Sequence, residues 1–269
     1  MKYVIDNDLH IHTNLSPCAR DPWQTPARLL RYAEVTGLST ICVTDHYWDE
    51  NAPGGFDELD WYSFQHYAHI AQVLPLPEKE GVRFLFGCET ELDQNLNLGI
   101  TEKRFDDFDF IIIPTTHLHL EGISVPRGEI SLERRADMWV QRLDRVLSMD
   151  LPFHKVGIAH LTCSLIAPKA PGDYLKVLDL IDDGTYRELF SRMAALGTGF
   201  ELNFPLSGLS TEDRERELRP YRIAKECGCK FYLGSDAHEL HGLLRAPANF
   251  RAIVDALELE ESEKFTVGA

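Results

Sequence analysis

Asp8-Leu9-His10-Ile11-His12-Thr13 follows the first apolar run of the chain, Tyr3-Val4-Ile5. If that run is a strand, alternate side chains share a face, so His10 and His12 point the same way at its end. Two neutral imidazoles at this spacing are a common way to hold a divalent metal ion. A polar strand edge that carries two histidines explains the pair equally well. The rest of the chain has to decide between the two interpretations.

Length and composition fit one large globular domain. The chain has 269 residues, of which 44% are hydrophobic and 26% charged. Single-domain α/β barrels commonly have roughly 250 residues, so we expect one domain over residues 1–269. No apolar run approaches the about 18 residues that a membrane-spanning helix needs. The first residues also lack the apolar core of a signal peptide, which predicts a cytoplasmic protein without membrane contact.

The net charge of the chain indicates which kinds of binding partner to expect. A formal net charge of −16 disfavours long nucleic acids, since no basic surplus displaces phosphate counterions. Small anionic substrates are compatible with it, because bound divalent ions offset the charge locally. The six cysteines are scattered, without a Cys-x-x-Cys pair, and are predicted to be reduced thiols. Nothing in the sequence indicates an oligomeric state.

Short apolar runs alternate with segments of helical period along the whole chain. The predicted strands cover residues 3–5, 40–44, 82–89, 110–114, 156–160, 199–203 and 230–234. The predicted helices cover 26–36, 131–149, 173–196, 211–227 and 247–257. The first is capped by Thr25 and closed by Gly37, and the third is broken near Gly184. One more helix is predicted to end near residue 74, after a polar connection over 47–60. This alternation predicts a parallel sheet with right-handed crossovers, and its length predicts closure into a barrel.

Residues able to bind metal ions concentrate at the carboxyl ends of the predicted strands, where barrel active sites are built. Six of the seven strands contribute His10, His12, His46, Glu89, His117, His160, Asp236 and His238. A chance distribution would spread such residues over helices, loops and both ends of the barrel. Their joint placement therefore predicts a site for several metal ions, and the histidine-rich mixed ligation favours Zn, Mn or Fe over Ca.

The same motifs carry a resemblance to a known family. His10-x-His12, Thr44-Asp45-His46, Gly87-Cys88-Glu89, His117, His160 and Ser235-Asp236-Ala237-His238 occur in this order. With them the chain resembles the polymerase and histidinol phosphatase (PHP) family over nearly its whole length. The resemblance implies an α/β fold, a distorted (β/α)7 TIM-like barrel, with two or three divalent ions at the carboxyl ends of its strands.

The resemblance also implies how the ligands are divided among the ions. His10, His12, Glu89 and Asp236 surround the first ion. Glu89 bridges to a second ion, which His117 and His160 hold. A third ion lies near His46 and His238.

Position 18 departs from the family pattern. Many members of the family have a histidine or an acidic residue there, which completes the third site, and this chain has Cys18. A thiolate binds zinc well and suits manganese or magnesium poorly. Cys18 is therefore either a ligand of zinc or iron or the sign of a weak third site.

The expected chemistry is hydrolysis of a small phosphomonoester, of the kind that a histidinol phosphatase performs. Two cations lower the pKa of a bridging water toward neutrality and neutralise phosphoryl oxygens. His46 or His238 would serve as the general acid if the third site were empty. Arg127 is the best candidate for a phosphate clamp, since a guanidinium matches two phosphoryl oxygens. Arg127 is also compatible with a solvated loop.

Two other interpretations stay open. Metal-dependent amidohydrolases, which cleave C–N bonds, also begin with His-x-His and end with Asp, but usually have eight strands and often a bridging lysine. A metal-binding regulatory protein with an inactive site is the other, and the cysteine at position 18 keeps it open.

Overall fold

The fold is built on parallel strands with helices between them. The computed structural model describes residues 1–54 and 64–268. Its strands are β1 (Asn7–Ile11), β2 (Thr40–Val43), β3 (His46–Tyr47), β4 (Arg83–Thr90), β5 (Phe110–Pro114), β6 (Val156–Ala159), β7 (Gly199–Leu202) and β8 (Lys230–Leu233). Its α-helices are α1 (Pro26–Thr36), α2 (Tyr67–Ile70), α3 (Leu132–Leu147), α4 (Asp173–Asp179), α5 (Asp183–Leu196), α6 (Thr211–Glu226) and α7 (Leu240–Ala256).

Seven of these strands follow one another in the order β1-β2-β4-β5-β6-β7-β8, and the two-residue strand β3 pairs only with β4. The two edges meet at their carboxyl ends, where the Asp236 amide donates to the His10 carbonyl (2.7 Å) and the His12 amide to the Ala237 carbonyl (3.1 Å). The sheet is thus a nearly closed seven-stranded α/β barrel, and the predicted fold class is confirmed. None of the helices within the described ranges is long and apolar enough to cross a membrane.

The first strand was predicted wrongly. Tyr3 lies outside the barrel sheet, where its amide donates to the Leu259 carbonyl, and β1 starts only at Asn7. The polar residues Asn7 and Asp8 pair with Thr40 and Ile41 of β2, and their side chains accept from the amides of Leu233 and Ser235 at the closing seam. They therefore replace ladder hydrogen bonds that a fully paired strand would make through its backbone.

Most helix predictions hold. Thr25 caps α1 and Gly37 ends it in the left-handed region, and the break between α4 and α5 lies at Asp182, which caps α5. The last helix starts at Leu240, seven residues before the predicted start at Pro247. A proline normally favours the first helical turn, but burial of Leu243 and Ala246 against the barrel stabilises the helix on both sides of it.

The predicted helix ending near residue 74 is only partly tested. Residues 55–63 lie outside the described ranges. The described part holds α2 and one 3-10 turn (Ala71–Val73) rather than a long helix.

Alternation along the strands decides what faces the barrel interior. Leu85 on β4, Phe110 on β5 and Tyr232 on β8 belong to one buried apolar cluster, while their strand neighbours pack in the larger cluster that includes the helices. Glu89 and Glu201 lie on the inward side of their strands by the same period of two. The apolar interior therefore fills one part of the barrel, and two carboxylates enter it near the carboxyl ends of the strands.

Candidate metal centre

Glu89 lies at the centre of the cluster that the sequence predicts. It is 1% exposed, and its two oxygens lie 2.8–3.9 Å from ring nitrogens of five histidines: His10, His12, His46, His117 and His160. Within the described ranges, neither oxygen has a hydrogen-bond partner of good geometry. A buried carboxylate normally accepts hydrogen bonds. A carboxylate that lacks them and is surrounded by imidazole nitrogens fits a bridging ligand between cations.

The His10 and His12 rings converge as the spacing predicts. Their Nε2 atoms are 3.2 Å apart, and Asp236 Oδ1 lies 3.4 Å from His10 Nε2 and 3.0 Å from His12 Nε2. A β-bulge contributes to this placement, since the register between β1 and β2 shifts between Asp8 and Ile11. Bulges turn a side chain away from simple alternation, and here His10 is buried beside His12.

Four sets of side chains in the described ranges have ligand atoms close enough to hold one ion, all within 4.8 Å of one another in each set. They are His10, His12 and Glu89; His10, His160 and Asp236; Glu89, His117 and His160; and His12, Cys18, His46 and His238. Glu89 belongs to two of the sets, which fits a carboxylate shared between two ions, and His10, His12 and His160 also belong to two sets each. All nine predicted ligands lie in at least one set.

The buried carboxylates of the cluster favour positive charge on the histidines beside them. Burial lowers the pKa of a histidine, yet Asp236 and Glu89 raise the pKa of His12 to about 9. The pKa of His10 is also raised well above its usual value, because Glu201, Glu89 and Asp236 together outweigh the opposing effect of burial. Protons on these rings balance the buried carboxylates, as metal ions would. Ion binding would therefore release protons from the site.

The other side of the cluster holds neutral imidazoles. Burial lowers the pKa of His117 to about 4, and burial together with the His12 charge lowers that of His238 to about 4. The ring of His238 is fixed by a 2.7 Å contact between Nδ1 and the Asp236 carbonyl. Nδ1 therefore carries the proton and donates it, which leaves Nε2 with a lone pair for an ion.

Two carboxylates that the sequence analysis missed orient these ligands. Glu201 on β7 accepts from His10 Nδ1 at 2.6 Å and from the His160 amide at 3.0 Å. Glu91 lies 2.8 Å from His117 Nδ1. Such carboxylates fix the tautomer and direction of a metal-binding imidazole. Glu201 could have been found from the sequence, because alternation along the predicted strand 199–203 places it on the same face as Gly199, and no other ligand was predicted on that strand.

A chain of hydrogen bonds also fixes the ring of His12. Its Nδ1 is 2.9 Å from Ser16 Oγ, and Ser16 donates to Asp45 at 2.6 Å. Asp45 also accepts from the Thr13 amide at 2.7 Å. Asp45 thus positions His12 through Ser16 rather than facing the cluster.

The backbone is strained at two of the ligands. His160 has φ of 60° and Asp236 has φ of 51°, both in the left-handed region. Non-glycine residues in this region cost free energy and concentrate at functional sites. Gly234 is required for a different reason, since a Cβ there would lie 2.8 Å from His10 Cβ and collide with the Glu201 carboxylate.

Cys18 joins the cluster through its sulfur. The residue is exposed, but its Sγ belongs to the set with His12, His46 and His238. His12 is shared with the first set, and its Nδ1 contacts Ser16, so its Nε2 alone is available and binds one ion only. A third ion would therefore have Cys18, His46 and His238 as its own ligands, and the thiolate among them suits zinc.

Replacing Cys18 with serine is expected to lower zinc affinity at the third site by at least about tenfold, because a neutral hydroxyl replaces a thiolate. Protein loaded with Co²⁺ should show a thiolate-to-metal absorption band in the near ultraviolet. C18S should lose this band. Cys163→Ser is the matched control, since Cys163 belongs to none of the four ligand sets. Wild-type protein without the band would exclude Cys18 as a ligand.

Two basic residues of the loops above the strands, Arg127 and Lys169, do not line the cleft above the cluster. Arg127 is exposed on its loop and is absent from the lining of the cleft above the cluster. Its role as a phosphate clamp stays a prediction without support from the cleft. Lys169 forms an exposed ion pair with Glu129 (3.1 Å). His119, by contrast, lines the cleft, with its ring centroid 5.3 Å from that of His117.

Comparisons with known proteins agree with the fold. The chain matches no protein-family model and no curated protein sequence. Among solved structures it is similar to a histidinol phosphate phosphatase from Lactococcus lactis, complexed with zinc, L-histidinol and phosphate. The TM-score is 0.59 at 18% identity, over 97% of this chain and 98% of that one. A probable 2-pyrone-4,6-dicarboxylic acid hydrolase from Acinetobacter baumannii with bound citric acid aligns at a TM-score of 0.44 and 14% identity, over 96% of this chain and 97% of that chain.

Proposed function

We propose that this protein is a metal-dependent phosphoesterase that hydrolyses a small phosphomonoester. The observation that carries the proposal is Glu89, a buried carboxylate that lies among five histidine rings and has no hydrogen-bond partner of good geometry in the described part of the chain. Such a carboxylate can give one oxygen to each of two cations and so set their spacing. The zinc and phosphate in the histidinol phosphate phosphatase of similar fold support the same reaction class.

The donor set fits two or three divalent ions. His10, His12, Glu89 and Asp236 would hold the first, and Glu89 with His117 and His160 the second. The nitrogen and thiolate donors at the third position favour Zn over Mn or Fe, and the histidine-rich donors of the whole cluster are unsuited to Ca. When bound, the ions supply an activated water at neutral pH and positive charge for the phosphoryl oxygens.

Residues of the chain would orient the metal-binding imidazoles and contact the substrate. Glu201, Glu91 and Ser16 hold the imidazoles in fixed directions, so no reorientation is needed when the substrate binds. The low pKa of His238 makes it neutral at pH 7, which favours a ligand over the general acid that the sequence analysis considered. His119 lines the cleft and is the side chain best placed to contact the substrate.

The two alternatives have less support. Lysine is absent from the described lining of the cleft and of the adjoining cavity, so a lysine that bridges metals, common in amidohydrolases, has no counterpart there. An inactive scaffold would not require strained backbone at His160 and Asp236. We therefore favour the phosphoesterase.

Metal analysis of freshly purified protein, coupled to a substrate screen, tests the proposal. We expect two or three ions per chain and turnover of phosphomonoesters, with histidinol phosphate included in the panel. Zn, Mn and Fe should each be added to metal-stripped protein. Release of ammonia or amine from cyclic amides, with phosphoesters inert under all three ions, would reverse the assignment.

A further inference from the structure

A second, larger cavity opens beside the metal cleft. It has a volume of about 740 Å³ and shares Cys18, Asp236 and His238 with the cleft. Its far wall is one face of α7, with residues at helical spacing. These are His241, Leu244, Arg245, Ala248 and Ala252. The cavity is thus continuous with the ligands of the cluster.

The volumes indicate how a substrate would be divided between the two spaces. The cleft above the cluster holds about 230 Å³, less than the roughly 300–1,000 Å³ of ordinary small-molecule sites. It has room for a phosphoryl group at the ions. The larger cavity adjoins the cleft at Asp236 and His238 and has room for the alcohol portion of an ester.

Two exposed arginines line this cavity and have no carboxylate partner among the described residues, and Arg251 outside the cavity has none either. The protein has a formal net charge of −16, and many of its arginines pair with carboxylates, as Arg219 does with Asp183 (2.6 Å). Arg20 and Arg245 line the cavity, and neither has a hydrogen bond or ion pair with another described residue. Glu239 is the one carboxylate of the described lining besides Asp236, so the two guanidiniums outnumber it once Asp236 binds an ion. Guanidinium groups bind carboxylate and phosphate oxygens in a fixed, bidentate geometry.

We propose that this cavity binds the alcohol portion of the substrate, and that this portion carries a second anionic group held by Arg20 and Arg245. The inference rests on the proposed phosphoesterase function and names its substrate class. A substrate of this kind has a phosphate ester at one end and a carboxylate or second phosphate at the other. This role differs from the one predicted for Arg127, which was to bind the oxygens of the phosphoryl group that is cleaved.

Binding of non-hydrolysable phosphonates to the metal-loaded protein tests this assignment. Phosphonoacetate, 3-phosphonopropionate and 4-phosphonobutyrate are compared by calorimetry with alkylphosphonates of equal length. We expect at least one of the three to bind about tenfold tighter than its counterpart, the gain of one charge-assisted hydrogen bond. Propane-1,3-bisphosphonate then distinguishes a second phosphate from a carboxylate by its affinity relative to 4-phosphonobutyrate.

Variants assign the preference to the two arginines. R20Q and R245Q should bring the affinity ratio toward one. Arg251→Gln is the matched control, because Arg251 is exposed on the same helix and lies outside the cavity lining; it should keep the ratio. Equal binding of every pair, or a ratio that survives the double variant, would overturn the proposal. Because binding is measured rather than turnover, a preserved preference with no phosphoester hydrolysis would refute the proposed function and leave the anion subsite standing.

Discussion

Replacing Glu89 with glutamine is expected to reduce turnover by at least about 1,000-fold, because charge stabilisation by metal ions contributes several kcal/mol and each 1.4 kcal/mol is a factor of ten. The amide has the same size as the carboxylate but carries no charge and cannot bridge two cations. The five surrounding histidines would then share fewer ions. We expect the metal content to fall to one ion per chain or fewer.

Metal analysis and kinetics on the same preparation check this result, with circular dichroism to show that the barrel is intact. Glu80→Gln is the control, since Glu80 is exposed just before β4 and should keep both metal and activity. An E89Q protein with wild-type metal stoichiometry would contradict the central role of Glu89. Loss of metal together with unchanged turnover would instead contradict the proposed chemistry.

Replacing Arg142 with methionine is expected to lower the free energy of unfolding by about 3–5 kcal/mol, the cost of breaking a buried charged network. The Arg142 guanidinium is buried and donates to four carbonyls, those of Leu92, Asp93, Thr115 and Ser124, at 2.7–3.2 Å. Methionine fills a similar volume but leaves all four without this donor. These carbonyls belong to the loops that follow β4 and β5, next to Glu91 and His117.

Chemical or thermal denaturation measures this effect. For a chain of this size the loss corresponds to a fall in melting temperature of roughly 6–20 °C. Arg145→Met is the control on the same helix, because Arg145 is exposed and makes one long bond (3.5 Å) to the Leu96 carbonyl. A destabilisation by R142M no larger than that of R145M would show that the four carbonyls find other donors.

Local patterns in the sequence carry much of the fold. Thr25 with Pro26 at one end and Gly37 at the other bound α1 as predicted, since capping depends on residues a few positions apart. The failure at the first strand has the opposite cause. Asn7 and Asp8 pair with β2, and the amides of Leu233 and Ser235 at the closing seam donate to their side chains. No local rule contains these distant partners.

The candidate metal ligands could be predicted from the sequence because their common feature is a position at the carboxyl end of a strand. Histidines and carboxylates at the carboxyl ends of parallel strands gather at one end of a closed barrel, so the cluster as a whole was predicted without coordinates. The division of its residues among the ions came from the resemblance to the PHP family. The residues that hold the ligands in place could not be predicted in this way. Glu201 reaches His10 across 191 positions in the chain, and only the closed barrel decides which inward carboxylate lies beside which ring.

The sequence by itself thus determined the strand–helix alternation, the barrel and the predicted ligand set, because each follows from periods and end positions along the chain. Tertiary structure alone decided how the His10-x-His12 pair is used. The bulge in β1, the Glu201 contact and the shared position of His12 between two ligand sets arise from packing between distant strands. It also decided that Arg20 and Arg245, rather than Arg127, line a cavity beside the cluster, since loop side chains find their neighbours only after the barrel has formed.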